Sequence, residues 1–137
     1  MNKSLIAVAF ALMAFPAEAL DSAVMVTPVF KTTRTIADQP IQLPQKNVEV
    51  IVSMYDIAPG AMLPVHQHHY QRYAYVLSGT LSVTNLESGK NSTFKQGDFV
   101  VESLSQWHKG ANNGTEPVKL LVIDQIEQGA ESVTLRK

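Results

Sequence analysis

PGAMLPVHQHHYQRYAYVLSG, residues 59–79, decides how this chain is read. Pro59 and Gly60 stop what precedes them. Two histidines follow, His66 and His68, and then a run of aromatic and branched residues, RYAYVL at 72–77, of the kind that favours a strand. Side chains two apart on a strand point to one face, so His66 and His68 present both imidazoles to one centre. His69 points the other way, to the exposed side or the mouth of the fold. Ser78-Gly79 kinks or bulges the chain before the next strand.

Outward from this stretch the pattern stays that of strands and turns. Upstream, residues 29–36 (VFKTTRTI) are β-branched and partly alternating, residues 38–47 hold two prolines and read as a loop, and residues 48–57 (VEVIVSMYDI) make a strand. Downstream come strands at 80–86 (TLSVTNL) and 92–95, joined by the Ser88-Gly89-Lys90 turn. Gln96-Gly97-Asp98 turns into the apolar Phe99-Val100-Val101. NNGTEP at 112–117 is loop, and VKLLVIDQI at 118–126 closes the set. Beyond the N-terminal leader no stretch carries a helical period, and turns recur at intervals of roughly ten residues, the signature of a sandwich or small barrel. Met54 and Met62 are expected to fill that barrel, and Tyr70, Tyr73 and Tyr75 to pack across strands. The fold class is all-β.

The N-terminus reads as an export signal. Lys3 precedes an apolar run at 5–15 (LIAVAFALMAF), Pro16 breaks it, and Ala17-Glu18-Ala19 supplies small residues for cleavage after Ala19. The run is shorter than the ~20 residues of a spanning helix, and no cysteine follows it to carry a lipid. Residues 1–19 are therefore expected to be a signal peptide and residues 20–137 one domain, periplasmic or secreted, with no membrane anchor after cleavage. Removing Lys3 and Glu18 leaves the net charge at −1. No basic run suggests nucleic acid. Without cysteine, stability has to come from the core rather than from disulfides.

The third informative histidine is His108, just after Trp107. An imidazole from a neighbouring strand completes a three-nitrogen face with His66 and His68, a common mononuclear metal arrangement. With no cysteine, nitrogen and oxygen are the only strong ligands.

At these residues the chain resembles the cupin superfamily. Gly60-AMLPV-His66-Gln-His68-HYQ-Arg72-YAYVLS-Gly79 is similar to the first cupin motif, and Gly97-DFVVE-Ser103-Leu-Ser105-QW-His108-KGA-Asn112 has the spacing of the second, with a short stretch between, as in small single-domain bacterial cupins. The resemblance spans roughly residues 29–127. It implies a jelly-roll β-barrel (double-stranded β-helix) holding one divalent metal at its mouth: Fe, Mn, Zn, Ni or Cu on His66, His68 and His108. It also implies a homodimer in which a terminal strand such as residues 29–36 covers a partner's sheet edge.

Two departures shape the functional expectation. Ser103 and Ser105 replace the usual proline and glycine, which should alter the turn into His108. Arg72 stands where the family places its glutamate ligand; five donors, no acceptor and a permanent charge disqualify it as a replacement. Facing the pocket, Arg72 can clamp a substrate carboxylate; otherwise it turns outward or pairs with an internal acid such as Glu102 or Asp56. Trp107 is the candidate pocket wall, and Asn112 a turn former. The expected function is an exported metal-dependent dioxygenase or related enzyme on a small anionic molecule. The alternative is a non-catalytic periplasmic module that binds a small molecule or metal.

Overall fold

Alternation along β1 (Val48–Ile57) sets the inside and outside of the molecule. Ile51, Ser53, Tyr55 and Ile57 turn inward, while Val48, Val50, Val52 and Met54 turn outward and are each at least half exposed. That is the period of two a strand imposes. The computed structural model describes residues 24–137, so the expected leader and its cleavage after Ala19 lie outside the described residues.

After β1 come β2 (His66–Gln67), β3 (Arg72–Ser78), β4 (Thr80–Asn85), β5 (Asn91–Lys95), β6 (Phe99–Val101), β7 (His108–Ala111), β8 (Val118–Glu127) and β9 (Thr134–Leu135). They form two antiparallel sheets, ordered β1-β8-β3-β6 and β5-β4-β7-β2-β9. Strands far apart in the chain are neighbours in both sheets, as in a jelly-roll barrel. Inward side chains of the two sheets meet in one apolar core that includes Val76, Val118, Leu120 and Val122 from the first and Leu81 and Val83 from the second. Along β3 and β8 the inward rows carry charge: Val76 and Ala74 give way to Arg72, and Leu120 and Val122 to Asp124, with apolar Ile126 beyond it. Arg72 and Asp124 thereby mark the end of the barrel where the site lies.

The bulge expected near Ser78-Gly79 is present as a register shift between Val76 and Ser78. Gly79 has φ +75°, and a Cβ there would stand 2.6 Å from the Pro117 carbonyl oxygen. Gly79→Ala is therefore expected to cost more than the roughly 1–3 kcal/mol of a left-handed non-glycine residue. Urea unfolding measures this, and an unchanged midpoint would contradict it.

Three expectations need correction. Residues 29–36 do not form a strand: the Thr35 hydroxyl accepts the Ala37 and Gln39 amides, Asp38 takes φ +61°, and the chain turns back with Arg34 bridged to Pro40. Branched residues favour a strand only where a ladder partner takes the backbone; here a threonine side chain takes it. Met54 and Met62 do not fill the barrel, being 50% and 59% exposed; Met54 falls in the outward row of β1. Finally, β7 and β9 are additional strands. His-Lys-Gly-Ala has no branched residue, and β9 is two residues long, so neither shows strand composition. Tyr73 and Tyr75 lie on outward positions of β3, with the Tyr73 ring 6.1 Å from that of Phe99 across the sheet.

Candidate metal centre

The centre is built on the pairing of β2 with β7, where His66 stands directly opposite His108. His68, two residues on, returns its side chain to the same side. All three are buried, with ring centroids 4.4–5.0 Å apart. His69 is exposed, as the alternation requires.

Each imidazole is oriented through Nδ1 against a backbone carbonyl: His66 to Pro64 at 2.7 Å, His68 to Ser132 at 3.0 Å and His108 to Gln106 at 2.8 Å. A carbonyl only accepts, so each Nδ1 carries the proton, and in the neutral ring Nε2 keeps its lone pair. This is how ligating histidines are commonly fixed. One ligand atom from each ring lies within 4.8 Å of the others. His68 Nε2 and His108 Nε2 are enclosed without a hydrogen-bond partner, as is one oxygen of Glu102. A buried unsatisfied polar atom costs about 1–3 kcal/mol, and a cluster of such atoms fits the donor set of a bound cation. The C-terminal segment takes part: Ser132 fixes His68, β9 pairs with β2, and the Arg136 amide donates to Val65.

Arg72 is buried and lines the cavity beside His66 and His108. Its partner is Asp124, directly opposite on β8, with Nε to Oδ1 at 2.7 Å and Nη2 to Oδ2 at 2.8 Å. Neither acid suggested by the sequence fills that role: Asp56 lies at the surface 3.4 Å from Lys119, and Glu102 faces His108. The pairing is created by the long-range register of β3 on β8, which local sequence does not display. Nη1 donates to the Tyr55 hydroxyl at 3.4 Å.

Glu102 is the acid that enters the site. It leaves β6 with its amide donating to the Arg72 carbonyl and its own carbonyl accepting from the Gln71 side chain. Its Oε2 stands 3.3 Å from His108 Nε2, an ion pair when that imidazole is protonated, and without hydrogen-bond geometry. Burial disfavours the Glu102 carboxylate, but His108, His68 and Arg72 outweigh it and hold its pKa down at about 2. Burial likewise works against charge on His108, and Glu102 overcomes it, leaving that pKa above 6.5. For His68 burial wins and the pKa falls to about 3; His66 is lowered by the same cause. The sequence signal for Glu102 was alternation: Val100 faces the core, and so does the residue two further on.

These shifts have a consequence for the metal-free protein. Groups with depressed folded pKa contribute stability above their unfolded value and lose it as pH falls. His66 and His68 therefore make stability decline from pH 6.5 downward, in the case of His68 towards about 3. His108, shifted upward, contributes fully below 6.5 and fades only above it, so it does not offset that decline. Urea unfolding of metal-free protein at pH 6.5 and 4 should show lower stability at 4; equal or greater stability there would contradict the assignment.

The turn into His108 survives its two serines. Ser105 adopts φ +51°, the left-handed conformation of the replaced glycine, and its amide donates to the His68 carbonyl at 2.7 Å. Trp107 is not among the residues lining the cavity around the histidines; its ring lies under the Arg136 guanidinium, 5.8 Å away. Asn112 is buried and bonds Ile57, Glu116 and Gly114, closing the loop before β8. Beside His66, His108 and Glu102 lies a space of about 20 Å³, enough for one water-sized particle. A wider vestibule of about 170 Å³ flanks it, bounded by Tyr55, Leu63, Pro64, Val133 and Leu135.

A family model described as Cupin domain matches residues 53–124, a span holding His66, His68, His108, Arg72, Glu102 and Asp124. The chain belongs to the cupin family. Among solved structures this cupin is similar to the polyketide cyclase RemF from Streptomyces resistomycificus (TM-score 0.56, 16% identity, 68% of this chain and 63% of that one). It is also similar to the oxalate decarboxylase of Lactobacillus farciminis in its formate complex (0.53, 23%, 66% and 27%). A third is the cupin domain of Schizosaccharomyces pombe Cnp3 (0.51, 20%, 55% and 54%). This cupin spans less than two thirds of each of those chains, and at these identities the likeness is one of fold. No curated protein matches the sequence.

Proposed function

We propose that this cupin is an exported metal-dependent enzyme acting on a small molecule admitted to the vestibule beside His66. The observation that supports it is the set of imidazoles oriented through Nδ1, with two Nε2 atoms buried and unsatisfied. A divalent ion on His66, His68 and His108 would supply Lewis-acid or redox chemistry according to its identity. The chain supplies the rest. Leu63, Pro64, Val133 and Leu135 give apolar walls, and Tyr55 and Arg72 the polar edge. At about 170 Å³ the vestibule is below the ~300–1,000 Å³ of drug-sized sites, so the substrate is small. A carboxylate or enol end would meet Arg72 through Nη1 and the second Nη2 proton, since Nε and the first Nη2 proton hold Asp124. The test is turnover and oxygen uptake by metal-loaded protein on a panel of small carboxylates and enols. Activity lost in His108→Ala supports the proposal; none in fully loaded protein contradicts it.

One observation favours a second reading, a non-catalytic small-molecule or metal-binding module. The Arg72 charge is already compensated by Asp124 at two hydrogen bonds, which weakens its pull on a substrate anion. Ligand binding to loaded protein with no turnover would select it.

We also propose that the chain is a homodimer. β1 is an edge strand, and its outward Val48, Val50, Val52 and Met54 make an exposed apolar row, a surface that natural proteins cover or charge. Sedimentation should show a dimer that Val52→Lys converts to monomer; a monomeric wild type would contradict this.

A further inference from the structure

The position that lost its carboxylate and the position that brings one in are adjacent. Arg72 begins β3, and Glu102 follows β6, the strand beside it; the Glu102 amide donates to the Arg72 carbonyl. We infer that Glu102 is the fourth ligand of the centre, a carboxylate supplied by the second-motif segment in place of the first-motif glutamate. The inference rests on the three-histidine reading above and adds a ligand to it.

Geometry carries it. Two donor atoms each about 2.0–2.1 Å from one ion stand about 3 Å apart at octahedral or tetrahedral angles. Glu102 Oε2 and His108 Nε2 are separated by 3.3 Å, and both are buried without a hydrogen-bond partner. Glu102 also lines the same small space as His66 and His108. A hydrogen bond between these two atoms would be the structural alternative, and its angular geometry is not met.

Charge supports the same assignment. A guanidinium beside a dication is repulsive unless an anion compensates it, and Asp124 does so with two hydrogen bonds. With that pair neutral, Glu102 is the one carboxylate among the described residues lining the cavity, and it has the sign a dication needs. Glu102 is thus free to serve the ion, because Arg72 does not need it.

The test titrates the full chain, freed of metal, with Co(II), comparing wild type, Glu102→Gln and Glu102→Asp. Two quantities are read: affinity by competition with a chromophoric chelator, and the visible d–d spectrum, which reports the ligand set. Removing groups that merely support a ligand costs about 10–100-fold in affinity. Glu102→Gln is expected to lose at least about 100-fold and to change the spectrum, with Glu102→Asp recovering part of both. Weaker binding with an unchanged spectrum would make Glu102 a positioning residue and overturn the inference. Wild-type affinity and spectrum in Glu102→Gln would also overturn it while leaving the three-histidine centre standing. No Co(II) binding by the wild type would overturn both. Circular dichroism checks that the variants are folded, and the aspartate variant answers the question if the glutamine variant is not.

Discussion

His66→Ala and His108→Ala are each expected to abolish stoichiometric metal while leaving the barrel folded. The expectation follows from the pairing of β2 with β7, which sets these two residues opposite each other on one ladder step, with ring centroids 4.4 Å apart. Removing either leaves an incomplete set with no spare group among the described residues to take its place, since His69 is exposed. Sharing the roughly 10–16 kcal/mol of a four-ligand structural zinc site equally gives about 3–4 kcal/mol per ligand, or about 100- to 1,000-fold in affinity. Loss of that size empties a site during purification. His69→Ala is the matched control and should keep its metal. The fold should persist, because the main core of Val76, Val100, Val118, Leu120 and Val122 lies beneath the site. Metal content per folded chain reads the result, and undiminished metal in both variants would refute the assignment.

The second large effect is on stability. Asp124→Asn leaves the Arg72 guanidinium buried without its bidentate partner; the two side chains are 6% and 4% exposed. Breaking a buried pair from one side costs about 3–5 kcal/mol, a large share of the total stability of about 5–15 kcal/mol for a small domain. Replacing both partners with apolar residues is a different experiment. Arg72→Met with Asp124→Leu removes the uncompensated charge and should recover most of the loss. Urea unfolding of the single and double variants decides it. A single-variant loss below about 1 kcal/mol, the range of exposed pairs, would contradict the structural role. Asp124→Asn should also weaken metal binding, since the Arg72 charge then acts on the centre uncompensated.

What could be read from sequence was what local pattern encodes. Alternation gave β1 its bounds, Ser78-Gly79 marked the bulge, and the two-residue spacing of His66 and His68 put them on one side. The motif spacing brought His108 to them although its own strand, His-Lys-Gly-Ala, carries no strand composition. Pairings between distant strands were not legible. Whether Arg72 faced the cavity or turned outward stayed open, and Asp124, 52 residues away, is its partner only through the register of β3 on β8. Glu102 stood in plain view as a possible partner for Arg72, yet its approach to His108 depends on how β6 joins the sheet. Residues 29–36 misled because threonine serves a strand or a side-chain-closed turn equally well, and the turn bonds of Thr35 decided the matter. Ser132, which orients His68, lies 64 residues from it and contributes only a backbone atom, so residue identity could not reveal it.

The central claim is that His66, His68 and His108 hold one metal ion. Elemental analysis of the protein, purified without chelator or histidine tag, tests it most directly. About one divalent metal per folded chain is the predicted result, and its identity then directs the search for the reaction. A chain that is folded yet metal-free, and stays so after reconstitution with Fe, Mn, Zn, Ni and Cu, would contradict the account.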